Sequence, residues 1–219
     1  MDLLKDMIGW LPPLLEATGV TLSLTVVSVS CGLVLSLFLA LGKISKNPLL
    51  QKFCSGYIFL FRGTPLLMQL FFIWYALPQI DGSLAISNRF MAAWIAYSLN
   101  SAAYLAEIIR AAIQSIDRGQ LEASKALGMS YGKAMRLVIV PQSIRRLIPP
   151  VGNEFIMVIK DTSLVSSIAL VDLMKKTSQI HSSASSPLVY LPAAAIYLII
   201  TAVFTYVFNR LEKKFSIYE

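Results

Sequence analysis

Two carboxylates and several amides and hydroxyls lie inside stretches of this chain that are otherwise apolar. Glu154 and Asp161 fall in the run 147–170, with Asn153 and Ser163 beside them, while Asn100 falls mid-way along 88–112 and Thr64 within 54–78. A charged group in a bilayer costs several kcal/mol unless it is paired or hydrated, so such residues are functional candidates by default. Glu154 and Asp161 can each accept an ammonium or another cation, and Asn100 can both donate and accept hydrogen bonds. Pro149, Pro150 and Gly152 precede Glu154 and are expected to interrupt regular helix. Interrupted helices expose backbone groups suited to binding zwitterions. The competing reading is structural: Asp161 pairing with Arg62, Asn100 tying two helices together. Glu107 and Arg110, three apart on one helix face, read as a structural pair.

Covalent and metal chemistry finds little material. The single His181 lies in a polar stretch without partners at ligand spacing, and Cys31 and Cys54 are isolated in apolar surroundings. Neither a disulfide framework nor a metal site follows from such spacing. Gly128-Met129-Ser130-Tyr131-Gly132-Lys133-Ala134 resembles a phosphate loop only superficially. It is one residue short between the glycines and lacks Ser or Thr after the lysine. No nucleotide site is expected in this chain.

The elements that must position these residues are membrane spans. Hydrophobic residues make up 56% of the 219, and charged residues only 14%, against about 25% in a typical soluble protein. The 26 residues Ala17–Gly42 carry no charge, nor do the 28 of Ser182–Asn209. About 20 apolar residues of helix cross a bilayer core. Five spans are expected, at about 17–42, 54–78, 88–112, 147–170 and 188–210. A lead of residues 1–16 with Trp10, Pro12 and Pro13 is expected at the interface, a Ser-rich stretch at 171–187, and a short tail from Leu211 to Glu219. No signal peptide, internal repeat or low-complexity tract is recognised. The chain reads as one all-α domain, 1–219.

The net charge of +7 is not read as a nucleic-acid signal, because Lys and Arg collect in cytoplasmic loops. One side holds Lys43, Lys46, Lys52, Arg110, Arg118, Lys125, Lys133, Arg136, Arg145, Arg146, Arg210, Lys213 and Lys214. The other holds Lys5, Arg89, Lys175 and Lys176, with Arg62 and Lys160 inside spans. Thirteen against four places the N-terminus outside and the C-terminus, with segment 113–146, in the cytoplasm. Within that segment Asp117 can cap a helix starting at Arg118, with Gln120 reaching back, and Gly128 suits its left-handed end. The result is a helix at about 118–128, too short and polar to cross.

The run Glu122-Ala123-Ser124, Gly128, Val138, Val140 and Pro141 resembles the EAA signature of ATP-binding-cassette importer permeases, with Ser124 for the second alanine and valines for Ile and Leu. Thr18–Leu22, Phe61-Arg62-Gly63-Thr64-Pro65-Leu66, Asn100–Tyr104 and Gly152–Phe155 with Lys160–Leu164 are similar to the permeases for arginine, histidine, glutamine, glutamate and cystine. This resemblance covers nearly the whole chain. It implies the type I importer transmembrane fold in a bacterial inner membrane, with alternating access as the mechanism. In that family the helix at 118–128 is a coupling helix, which would seat Gln120, Glu122, Ala123, Ser124, Ala126, Leu127 and Gly128 against an ATPase subunit. It further implies that ATP and Mg are bound by that ATPase, that a receptor protein delivers an amino acid, and that a second permease copy completes the pathway. The substrate site would draw on Asn100, Glu154 and Asp161, then Thr64, Asn153 and Ser163. Rival readings are an importer of another small solute, an ion-coupled carrier, and a membrane enzyme. The docking helix disfavours the carrier, and the lack of a catalytic cluster disfavours the enzyme.

Overall fold

The computed structural model describes residues 2–215, with side chains from residue 5, and is helical without strands among them. Helix α1 (Asp2–Ile44) is 43 residues long and runs unbroken through Pro12 and Pro13, so the expected lead is the first part of the first span. Its buried face carries Leu14, Ala17, Thr18, Thr21, Leu24, Thr25, Ser28 and Ser36, at helical spacing. Thr18 and Thr25 hydroxyls donate to the carbonyls of Leu14 and Thr21, both at 2.8 Å, so these polar groups are satisfied inside their own helix. Its outer face shows Val34, Leu37, Phe38 and Leu41. Small and polar inside, large and apolar outside, is the pattern of a helix bathed in lipid.

Helix α2 (Pro48–Gly63) opens on Asn47, whose side chain accepts from the amides of Leu49 and Leu50. The expected span at 54–78 is not one rod. After Thr64 the chain restarts as α3 (Leu66–Phe71), a π-helical stretch Phe72–Ala76 and α4 (Leu77–Ile80), bent by 103° from α2. Pro65 accounts for the break: it forces Thr64 into extended conformation (φ −117, ψ 143) and has no N–H to continue the ladder. The widened turns at Phe72–Ala76 and Met135–Ile139 likewise lie just before prolines, Pro78 and Pro141, where a donor is missing.

Helix α5 (Arg89–Gln114), capped by Asn88, is the axis of the bundle. Its Ala92, Ala93, Ala96, Ser101, Ala102, Ala103 and Ala106 are buried, and α1 lies against them. A Cβ on Gly32 would stand 2.9 Å from Ser101 Cβ and 3.2 Å from the Ser98 carbonyl, so only glycine allows this approach.

The polar segment holds α6 (Arg118–Ala126) and α7 (Tyr131–Ala134). Helix α8 (Val140–Asp161) then continues straight through Pro149 and Pro150, against the expected interruption. Each proline deletes one donor to a carbonyl four residues back, which a helix can survive when neighbours pack it. Gly152 is a packing residue: its missing Cβ would lie 2.7 Å from Phe208 Cγ. The break comes later, in a 3-10 segment Thr162–Ile168 that ends at left-handed Ala169 (φ 59). The Ser-rich stretch contains α9 (Leu173–Ala184), capped by Asp172, and α10 (Tyr190–Phe215) closes the bundle. The expected tail is helical to Phe215, and 216–219 fall outside the described residues.

By length and apolar content alone, α1 and Pro187–Phe215 qualify as spans, with the bent α2–α4 pair as a third. Helices α5 and α8 have 26 and 22 residues, long enough to cross a bilayer core.

Candidate functional site

Two helix breaks border one cavity together with α5: Thr64-Pro65 between α2 and α3, and the end of α8 at Asp161. Between them lies a cavity of about 410 Å³, lined on the α2–α3 side by Arg62, Thr64 and Leu66, on α5 by Asn100 and Tyr104, and on α8 by Glu154, Met157 and Asp161. Four of the six expected site residues, Asn100, Glu154, Asp161 and Thr64, therefore converge on one space. Asn153 is exposed and Ser163 half-buried, and neither contributes to this wall.

Each lining group is held by the fold. Glu154 is only 7% exposed, and its Oε1 accepts from Ser101 Oγ at 3.4 Å. Glu154 and Asp161 sit seven residues apart on α8, two helical turns, so both side chains can reach the same cavity. Tyr97 of α5 donates to the Asp161 carbonyl at 2.6 Å, pinning the end of α8. Asn100 Nδ2 donates to Gln69 Oε1 at 2.9 Å and lies 3.2 Å from the Phe61 carbonyl. Gln69 Nε2 in turn lies 2.8 Å from Thr64 Oγ1, 2.9 Å from the Phe61 carbonyl and 3.0 Å from that of Thr64. The amide pair thus binds the carbonyls left unpaired by the Pro65 break, and Asn100 combines a place in the wall with the helix-tying role weighed from sequence.

Arg62 does not pair with Asp161. Its Nη1 lies 4.0 Å from Glu107 Oε2, and its guanidinium lies over the Tyr104 ring at 5.2 Å. Glu107 also takes Lys43 and, at 3.0 and 2.8 Å, Nε and Nη2 of Arg110, the pair expected from their spacing. Gln69, Ser101, Tyr104 and Arg62 were not singled out for the site by sequence. Arg62 carried a usable signal, a lone cation inside an apolar run. Gln69 carried a weaker one, an amide in the same run.

The second candidate surface is α6. Asp117 Oδ1 accepts from the Gly119 amide at 2.6 Å, capping the helix as expected, but Gln120 does not close a capping box: its Oε1 accepts from Gln142 Nε2 at 3.4 Å. Gly128 is left-handed (φ 77), with its amide on the Lys125 carbonyl and the Met129 amide on that of Ser124 at 3.0 Å, a Schellman ending. Gln120, Glu122, Ala123, Ala126, Leu127 and Gly128 are exposed, Leu127 by 78%. Ser124 differs from the others. It is buried, with its hydroxyl on the Gln120 carbonyl at 2.7 Å, so it faces the bundle.

Residues 32–217 match the model of the binding-protein-dependent transport system inner membrane component family. The chain belongs to this family. Among curated relatives, this family member is 42% identical over 200 residues to the nopaline transport system permease protein of Agrobacterium fabrum, covering 88% of this chain and 83% of that one. It is 39% identical over 207 residues to the arginine transport system permease protein of Bacillus subtilis, with 93% of each covered. The L-cystine transport system permease protein TcyL of the same organism is 37% identical over 215 residues, 95% of this chain and 90% of that one. Among solved structures, an amino acid ABC transporter crystallised with histidines superimposes with a TM-score of 0.90 at 39% identity, covering 95% of this chain and 97% of that one. The MetNI methionine transporter, 19% identical, shares the fold with a TM-score of 0.77 over 92% and 95%. This chain is a membrane permease subunit of the ABC-transporter class.

Proposed function

We propose that this permease forms the translocation path of an ATP-driven importer for polar amino acids, working by alternating access. The observation that carries the reading is the cavity itself. Two acids, a guanidinium, an amide and a hydroxyl surround a space of about 410 Å³, a volume suited to a small polar ligand. An amino-acid ammonium would sit against Glu154 and Asp161. Asn100 and Thr64 would add hydrogen bonds, with Asn153 and Ser163 outside this first wall. The relatives named for arginine, cystine and nopaline transport support an amino acid, and paired acids favour a basic one.

Five spans would then be α1, the bent α2–α4 pair, α5, α8 and α10, with the N-terminus outside and α6 in the cytoplasm of a bacterial inner-membrane protein. Gln120, Glu122, Ala123, Ala126, Leu127 and Gly128 would press against an ATPase subunit that binds ATP and Mg, with Ser124 bracing the helix from behind. A receptor protein would supply the amino acid from outside, and a second permease copy would complete the path. Glu154→Ala tests the site: the variant should insert and retain its ATPase, yet lose at least about tenfold in amino-acid affinity, as expected for removing a charged hydrogen-bond partner. Unchanged uptake and affinity would remove Glu154 from the site.

A further inference from the structure

Helix α10 turns one side to the bundle and the other away from it. Phe204 and Phe208 pack on Phe155 of α8 with ring centroids 4.7 and 5.7 Å apart. Two residues advance a helix by about 200°, so Tyr206 and Arg210 stand on the opposite side. That side forms a stripe: Ile199, Val203, Tyr206 and Arg210 follow at steps of four, three and four, all exposed, and exposed Lys213 and Lys214 come one turn further on. Arg210 lies 20 residues after Tyr190, about 30 Å along the helix, which is the thickness of a bilayer core. The stripe therefore runs from hydrocarbon depth, through an aromatic ring, to a basic end at the membrane boundary.

The basic end is prearranged for an anion. Arg210 Nε donates to the Tyr206 hydroxyl at 2.9 Å, and the guanidinium carbon lies 5.2 Å from the centre of that ring. The ring thus holds one edge of the fork and leaves both η nitrogens to an outside acceptor. No carboxylate among the described residues forms an ion pair with Arg210 or Lys214. Glu212, the one acid of α10, is two residues from Arg210 and stands on another side of the helix. A guanidinium matches two oxygens of a phosphate at once, and neighbouring lysines add point charges.

We infer that this stripe of α10 binds an anionic phospholipid, its phosphate on Arg210 with Lys213 and Lys214 and its acyl chain along Val203 and Ile199. The inference needs only that the chain is a membrane protein, and stands apart from the substrate cavity. A basic end alone attracts any anion; the apolar stripe running on from it selects an anion that carries hydrocarbon. Because Phe208 packs beside Arg210 against Gly152 and Phe155, the bound lipid would brace α10 against the helix that holds Glu154 and Asp161.

The test uses the permease with its ATPase, reconstituted in nanodiscs of equal parts phosphatidylcholine and phosphatidylglycerol. Native mass spectrometry of the released complex counts the lipids of each kind that stay bound. Both leaflets offer both lipids, so the result does not depend on orientation. Wild type should retain phosphatidylglycerol in preference to phosphatidylcholine. Arg210→Gln should lower that preference about fivefold, the worth of one basic residue beside anionic lipid. Tyr206→Phe, which frees the guanidinium from its hydroxyl, should lower it in part, and Lys175→Gln on α9 should leave it unchanged. Only intact complexes are weighed, so a smaller folded fraction does not distort the ratio. No preference in wild type, a wild-type preference in Arg210→Gln, or an equal loss in Lys175→Gln would overturn the inference. So would an Arg210→Gln complex that keeps the lipid ratio but loses a permease copy, since the stripe would then be a contact between copies.

Discussion

At the scale of single residues, the helices of this permease approach one another through positions where a side chain is missing. Gly152 is one such case, because the ring of Phe208 on α10 occupies the space its Cβ would need. Phe208 also packs on Phe155 with ring centroids 5.7 Å apart, so it has little freedom to retreat. Gly152→Ala should therefore destabilise the detergent-solubilised protein by about 1–3 kcal/mol, the usual cost of overpacking, read as a lower melting temperature. Phe208→Ala combined with it should recover part of that loss, since the two positions touch and their effects will not add. Equal melting temperatures for wild type and Gly152→Ala would mean that α8 and α10 do not meet this closely. Sequence flagged Gly152 as a helix breaker; its role is set by a residue 56 positions away, which no local pattern reveals.

At the scale of elements, α6 presents an exposed apolar tip at Leu127 beside a glycine in a conformation that other residues adopt only under strain. Gly128→Glu should leave the protein inserted but abolish copurification with an ATPase, because it adds strain, bulk and charge at the surface assigned to docking. Intact copurification and transport would count against that assignment. Helix α6 was legible because its cap, its composition and its ending are all local signals, and Asp117 and Gly128 behave as their residue types suggest. The long runs without charge marked α1 and α10 for the same reason. The bend in the second span was hidden, since hydropathy is blind to direction and only Pro65 hinted at it. The prolines of α8 misled in the opposite sense: packing against α5 and α10 carries the helix past them. The cavity was half legible. Buried acids betray themselves in an apolar run, whereas Gln69 and Ser101 acquire meaning only from the partners that the fold delivers.

At the scale of the whole molecule, orientation is the property on which the docking and site assignments both depend. The proposed orientation, read from the basic residues, would put the turn Gly82–Leu84 outside and α7 inside. With Cys31 and Cys54 replaced by serine, an impermeant maleimide should label the Ser83→Cys variant in intact cells and the Lys133→Cys variant only after lysis. The reverse pattern would invert the topology. The arrangement of α8 has a mechanical consequence. Its root is fastened to the α6 region, through Gln142 on Gln120 and Arg146 Nη1 on the Ser115 carbonyl at 2.5 Å, and its far half carries Glu154 and Asp161. Between the two lie Pro149 and Pro150, where the rod has lost two of its hoops and is softest in bending. A tug at the root would thus be spent in part as a swivel at that joint, and the two carboxylates would change their aim without the rod having to slide along its axis.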